Sequence, residues 1–250
     1  MDPHREQPFA VKRFSHPLGS CGANLAPDEV HVWHTLLAGQ SDDQEYYRQL
    51  LSPDETARAQ RFRFESDRNS FIIARGTLRE LLGQYLTIPP GELRFSYSAF
   101  GRPSVADINT PEGFDFNISH SGGVALMAFS MGRQVGIDVE NVRRDFGTAE
   151  IAERFFSVAE RAALQQLPEE ERHTAFFRCW TRKEAFIKAL GEGLSHPLDQ
   201  FDVSLDPDTP AALLATRPDA TEVQRWELYD IQIPGDYVAA LALEVLSVEP

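Results

Sequence analysis

The chain has 250 residues, 42% of them hydrophobic and 25% charged, and carries a net charge of −14. This is the composition of an ordinary globular protein, long enough for one large domain or two modest halves. The acidic balance excludes general nucleic-acid binding, and no apolar run approaches the roughly 20 residues needed to cross a bilayer.

The start, Met1 to Ala10, has no apolar stretch like that of a secretory signal. Cys21 and Cys179 stand far apart, so a reduced, cytoplasmic protein is expected. The charge is uneven. Up to Gln134, 13 basic residues face 16 acidic ones; from Val135 onward, 11 face 22. An Arg-rich, near-neutral first half beside an acidic second half suits a phosphorylated ligand held by one and a metal held by the other. The plain alternative is a charge that only keeps the protein soluble.

In chain order, Met1 to Pro27 is rich in Pro and Gly and reads as a loose lead-in. Val30 to His34 alternates like an edge strand. Ser52-Pro53-Asp54-Glu55 opens a helix to about Phe64, with Ser as N-cap, Pro at the first position and Glu three residues on. A second helix, about Asp67 to Leu86, places Phe71, Ala74, Leu78, Leu81, Leu82 and Tyr85 on one face, and Pro89-Pro90-Gly91 stops it. Strands follow at Leu93 to Tyr97, Asp115 to Ile118, Val124 to Phe129 and Val135 to Glu140. The continuous apolar run Val124 to Phe129 predicts a central strand covered on both faces.

Ser157-Val158-Ala159-Glu160 carries a second capping box, and Glu169 to Leu190 reads as a long helix stopped at Gly191 and Gly193. Strands at Phe201 to Leu205, Val223 to Ile231 and Tyr237 to Val245 finish the chain. The order predicts an α+β fold of two similar, pseudo-symmetric halves, 28–134 and 135–250, after a lead-in at 1–27. Each half has helices packed on a roughly three-stranded, mostly antiparallel sheet, with the active site between them.

Two stretches carry the chemistry. In Gly136-Ile137-Asp138-Val139-Glu140, the period of a strand puts Asp138 and Glu140 on one face. Such a pair supplies the oxygen ligands that Mg²⁺ takes, although alone it describes a solvated strand face equally well. In Trp180-Thr181-Arg182-Lys183-Glu184-Ala185-Phe186-Ile187-Lys188, the helical wheel sets Glu184 and Lys183 inside the stripe of Phe176, Phe177, Trp180 and Ile187, with Lys188 at its edge. A charge in that position costs several kcal/mol unless paired or bound to a metal, so the broken pattern marks a site. The chain has only three lysines, Lys12, Lys183 and Lys188, and two of them fall here.

Phe116 to Gly123 runs from a strand into a Gly-containing turn, where Ser119, His120 and the following N–H groups would cradle a phosphate or simply make the turn. Arg102 lies in the turn Gly101-Arg102-Pro103, and Arg58 and Arg75 lie on the helices before it. Their planar guanidinium groups suit phosphate, and each alone also suits the surface.

Together and in this order, Gly101 to Pro103, Phe116 to Ser121, Gly136 to Glu140, Phe155-Phe156-Ser157 with Glu160, Trp180 to Lys188 and Gly191 to Ser195 resemble the 4′-phosphopantetheinyl transferases. The match is to the larger, monomeric Sfp type that acts on peptide and polyketide synthases. The resemblance implies transfer of phosphopantetheine from coenzyme A to a serine of an acyl or peptidyl carrier protein, with release of 3′,5′-ADP. It implies Asp138, Glu140 and Glu184 as ligands of Mg²⁺ or Mn²⁺, and Lys188 with Lys183 as counter-charges to pyrophosphate. Arg58, Arg75, Arg102, Ser119 and His120 would hold the nucleotide side, on the first half. Glu184 or Glu160 would accept the serine proton, Glu160 having the capping box as its plain reading. Glu55 departs from the pattern, standing where some relatives carry a basic nucleotide contact. With a −14 chain, an acidic carrier helix would be met by a local apolar patch on the helices after Asp145. A Mg²⁺-dependent hydrolase of coenzyme A and a non-catalytic binding module are the alternatives.

Overall fold

The computed structural model describes residues 8–14, 25–26, 29–38, 41–106, 110–143 and 147–246; Cys21 and most of the expected lead-in lie outside them. The first half runs β1 (Phe9–Arg13), β2 (Val30–Leu36), α1 (Ser41–Leu50), α2 (Pro53–Gln60), α3 (Glu65–Leu86), β3 (Phe95–Tyr97), β4 (Pro103–Val105), β5 (Phe114–Ser121) and β6 (Val124–Met131). The second runs β7 (Val135–Asn141), α4 (Ala149–Phe155), α5 (Val158–Gln166), α6 (Glu169–Leu190), β8 (Phe201–Val203), β9 (Leu213–Thr216), β10 (Trp226–Asp230) and β11 (Tyr237–Glu244).

Four layers follow from the alternation of side chains across two sheets. The first sheet has the order β1-β2-β6-β5 and the second β10-β11-β7. On β6, Ala125, Met127 and Phe129 pack with Phe71, Leu78 and Leu82 of α3. The alternate residues Leu126 and Ala128 pack with Ile137 and Val139 of β7 and Leu241 of β11. On β11, Ala240 and Ala242 turn the other way, toward Phe176, Phe186 and Ile187 of α6. The layers are therefore α3, first sheet, second sheet, α6. This double cover is why Val124 to Phe129 reads as unbroken apolar sequence.

The fold is α+β, as expected, and each half sets a 22-residue helix against its sheet. The first sheet is not three-stranded, however. Phe9–Arg13, within the expected lead-in, adds to it in parallel with β2, so Val30–Leu36 is an interior strand and not an edge. An alternating pattern cannot separate the two cases when the neighbouring strand comes from a Pro- and Gly-rich segment. The short elements α1, α4 and β4 were also not legible, and β10 begins only at Trp226, after a 3₁₀ turn over Ala220–Arg225. Among the described residues, no helix is long and apolar enough to cross a membrane.

Strands β5 and β7, at the edges of the two sheets, lie side by side and are joined through side chains. Backbone N–H groups of Val135, Ile137, Val139 and Asn141 donate to Asp115 Oδ2 (3.0 Å), Asn117 Oδ1 (3.2 Å), Ser119 Oγ (3.4 Å) and Ser121 Oγ (3.2 Å). The two series rise together along the chain, so the strands run parallel. Every second residue of β5 is polar because each one serves a rung. This seam sets the two halves against each other.

Candidate active site

The seam continues into the carboxylates. Ser119 Oγ donates to Asp138 Oδ1 at 2.7 Å, and Ser121 Oγ donates to Glu140 Oε2 at 2.7 Å. From the other side, α6 brings Lys188, whose Nζ donates to Asp138 Oδ1 (2.6 Å) and Ser119 Oγ (3.0 Å). Gly136 makes this approach possible: a Cβ there would lie 2.1 Å from the carbonyl oxygen of Ala185 and 2.4 Å from the nitrogen of Ala189. Any side chain at 136 would push α6 off β7 and part Lys188 from Asp138. The helix ends one turn later at Gly191, whose φ of 74° is the left-handed cap that glycine adopts without strain.

Glu184 lies one turn before Lys188. Burial, together with Asp138 and Glu140, pushes its pKa up to about 7 against the opposing pull of Lys188. Burial and Asp138 also raise Glu140, in spite of its bond from Ser121. Asp138 is 3% exposed, and its Oδ2 is buried without a hydrogen-bond partner. Three carboxylates thus press on one another around a single ammonium. Among the described residues, no three His, Cys, Asp or Glu side chains converge on one point, and Lys188 stands against Asp138. The donor set nonetheless fits a hard divalent cation. It has an orphaned carboxylate oxygen and an excess of negative charge, which are what such an ion answers.

A cavity of 540 Å³ opens beside this cluster, lined by Glu184 and Lys188 of α6, His120 of β5, and Arg58, Phe71 and Arg75 of the first half. The guanidinium of Arg58 lies 5.2 Å from the centre of the Phe71 ring, and that of Arg75 lies 5.8 Å from Phe71 and 5.1 Å from Phe95. His120 sits between the two charged sets. Burial first, then Lys188, Arg58 and Arg75, draw its pKa below the usual range, which keeps the imidazole neutral near pH 7. The lining thus joins a carboxylate and a lysine of α6 to arginines of the first half.

Four expectations change on contact with this geometry. Lys183 is fully buried and far from solvent: its Nζ donates to the carbonyl oxygens of Leu198 (2.6 Å) and Phe201 (2.7 Å) and pairs with Glu160 at 2.8 Å. It has no access to a pyrophosphate. Glu160, 2% exposed, accepts from the backbone N–H groups of Ser157 (2.9 Å) and Val203 (2.8 Å), so the capping box is its role and it cannot serve as the base. Arg102 borders the cavity, but its guanidinium donates to the carbonyls of Lys188 (2.7 Å) and Ala189 (2.9 Å) and to Asp115 (2.6 Å). It is a clasp between the end of α6 and β5 in place of a nucleotide contact. Ser119 and His120 lie within strand β5, paired with Leu126 and Ala125, and not in the turn expected to cradle a phosphate.

The sequence reading missed the rungs at Asp115, Asn117 and Ser121. The signal was present as polar residues at every second position from 115 to 121. It was obscured by taking the strand to end at Ile118.

A cavity with acidic, lysine-braced and arginine-lined walls is the arrangement of a phosphoryl-transfer site, where the protein positions reactants and balances charge. Comparison with known proteins names the family. The model of the 4′-phosphopantetheinyl transferase superfamily matches residues 134–242, and that of the 4′-phosphopantetheinyl transferase N-terminal region matches residues 39–132. The chain is 38% identical over 226 residues to the 4′-phosphopantetheinyl transferase HetI of Nostoc sp., covering 90% of this chain and 92% of that protein. It is 31% identical to the 4′-phosphopantetheinyl transferase Sfp of Bacillus subtilis, covering 80% and 86%. With the human L-aminoadipate-semialdehyde dehydrogenase-phosphopantetheinyl transferase the identity is 32%, covering 77% and 67%. The chain belongs to the 4′-phosphopantetheinyl transferase superfamily and is a transferase of that kind.

Proposed function

We propose that this enzyme transfers the phosphopantetheine arm of coenzyme A to a serine hydroxyl of an acyl or peptidyl carrier protein. The serine oxygen forms a bond to the β-phosphorus, the bond from that phosphorus to the nucleotide breaks, and 3′,5′-ADP leaves. The observation that carries this reading is one cavity lined by Glu184 and Lys188, which lie beside Asp138 and Glu140, and by Arg58 and Arg75. Coenzyme A has two separate anionic groups, a pyrophosphate and a 3′-phosphate. The carboxylate wall takes the pyrophosphate, and the arginine wall takes the 3′-phosphate.

Asp138, Glu140 and Glu184 would hold Mg²⁺ or Mn²⁺, which when bound offsets charge on the pyrophosphate oxygens. Lys188 orients Asp138 and adds positive charge at the same wall. Glu184 takes the proton of the attacking serine, a role worth about 10²–10⁴-fold in rate. Neutral His120 lines the cavity, and Ser119 holds Asp138 and Lys188 beside it. One chain supplies both walls, so the enzyme acts as a monomer. Val158, 74% exposed at the start of α5, supports an apolar landing patch for the carrier on this side of the molecule.

The test is the intact mass of an apo carrier protein after incubation with the enzyme, coenzyme A and Mg²⁺, with and without EDTA. One added phosphopantetheine per carrier, lost with EDTA, is the expected result. Free 3′,5′-ADP with no change in carrier mass would make it a hydrolase instead.

A further inference from the structure

Glu55 stands outside the transfer chemistry and yet touches its binding wall. It is the third residue of α2, 1% exposed, in a capping box that fixes the carboxylate. Oε2 accepts from the N–H of Ser52 (3.0 Å) and from Nε of Arg79 (2.7 Å). Arg79 is itself anchored, donating to the carbonyls of Pro90 (2.8 Å) and Leu93 (3.0 Å). The second oxygen, Oε1, makes no hydrogen bond and lies 3.4 Å from Nε of Arg75.

Arg75 is thereby steered by charge from its Nε edge and packs on the rings of Phe71 and Phe95. Its Nη1 is buried with no hydrogen-bond partner among the described residues, although the residue lines the cavity. A buried guanidinium nitrogen left without an acceptor is costly, and a phosphate oxygen arriving in the cavity would satisfy it. Around Arg75 stand Arg58 and Arg79, both cationic, with the Tyr97 phenol and the buried carboxylate of Glu55 opposing them. Without that carboxylate the repulsion from the neighbouring arginines is no longer offset at the Nε edge.

We propose that Glu55 is a positioning residue: its carboxylate, locked by the α2 cap and Arg79, orients Arg75 to receive the 3′-phosphate of coenzyme A. The inference rests on the reading of coenzyme A in this cavity. It also turns the acidic residue at 55 from a lost contact into a support for a neighbouring one.

Glu55→Gln keeps the shape and the capping hydrogen bond while removing the charge. The experiment measures kcat and KM for coenzyme A and for 3′-dephospho-coenzyme A, in the wild type, Glu55→Gln, Arg75→Gln and the double variant. The expected result is a KM for coenzyme A raised about tenfold in Glu55→Gln, the size of one well-placed ion contact. Its kcat and its KM for 3′-dephospho-coenzyme A should be unchanged, and Glu55→Gln should add nothing in the Arg75→Gln background. Equal losses on both donors, additive losses in the double variant, or no change at all would overturn the proposal. If Glu55→Gln does not fold, Glu55→Asp, which withdraws the charge by one methylene, must show the same selectivity. Should the wild type transfer to no carrier, the transfer reading fails, and calorimetric binding of the two donors to the same variants still decides the role of Glu55.

Discussion

Lys183 and Lys188 stand on the same helix, each against one carboxylate, at 2.8 Å from Glu160 and 2.6 Å from Asp138. The first is sealed: two carbonyl oxygens and a carboxylate answer its three protons, the Phe201 ring lies 4.1 Å away, and the acid it pairs with is itself fully hydrogen-bonded. The second is unfinished. Its side chain keeps 27% of its surface exposed, it lines a cavity, and the carboxylate it pairs with has an oxygen left over. A buried ion pair with every valence met is architecture, whereas one with an orphaned acceptor at a cavity wall is a place for a ligand.

Substitutions should separate the two pairs. Lys183→Met leaves Glu160 buried and uncompensated, and is expected to cost about 3–5 kcal/mol of stability, read by chemical denaturation. If Lys183→Met kept its stability and lost transfer instead, the contrast would collapse. Lys188→Met also leaves a buried carboxylate, Asp138, unpaired, but here transfer should fall about 10²-fold or more in a carrier-mass assay, beyond any loss of stability.

Glu184→Gln sharpens the same contrast through pH. The folded pKa of about 7 lies above the ordinary value of 4.5, so the folded protein binds this proton more tightly than the unfolded chain. The associated stability is present below about pH 4.5 and lost as pH rises through 7. The metal-free Gln variant should therefore melt higher than the wild type at pH 8 and show little gain at pH 5, although its transfer falls. The smallest effect belongs to the seam: Asn117→Ala removes one rung and should lower stability by about 1 kcal/mol. A much larger loss would mean that the rungs act together.

How much of this was legible follows the physics of each signal. Long amphipathic or doubly buried segments announce themselves, and α6 begins and ends where its wheel and its glycine say. The two carboxylates of β7 and the charges of α6 were visible because they break an apolar pattern. What they break it for was not visible. Lys183 and Glu184 are neighbours in the same stripe, and only the partners brought by α5 and β8 decide that one is a strut and the other a site residue. Arg102 was read by its chemistry, which suits phosphate and carbonyl oxygens alike. The choice was made by the end of α6, more than 80 residues away. Strand β1 was hidden because its pairing with β2 is parallel and spans a stretch full of Pro and Gly.

The ladder between β5 and β7 has a further consequence. In an ordinary sheet the rungs are main chain to main chain, and no codon change can delete one without breaking the strand. Here each rung has a side chain at one end, so the contact between the halves is written in replaceable letters at 115, 117, 119 and 121. The contact can then be altered a rung at a time, by inheritance or by design, and at 119 and 121 the bonds to Asp138 and Glu140 change with it.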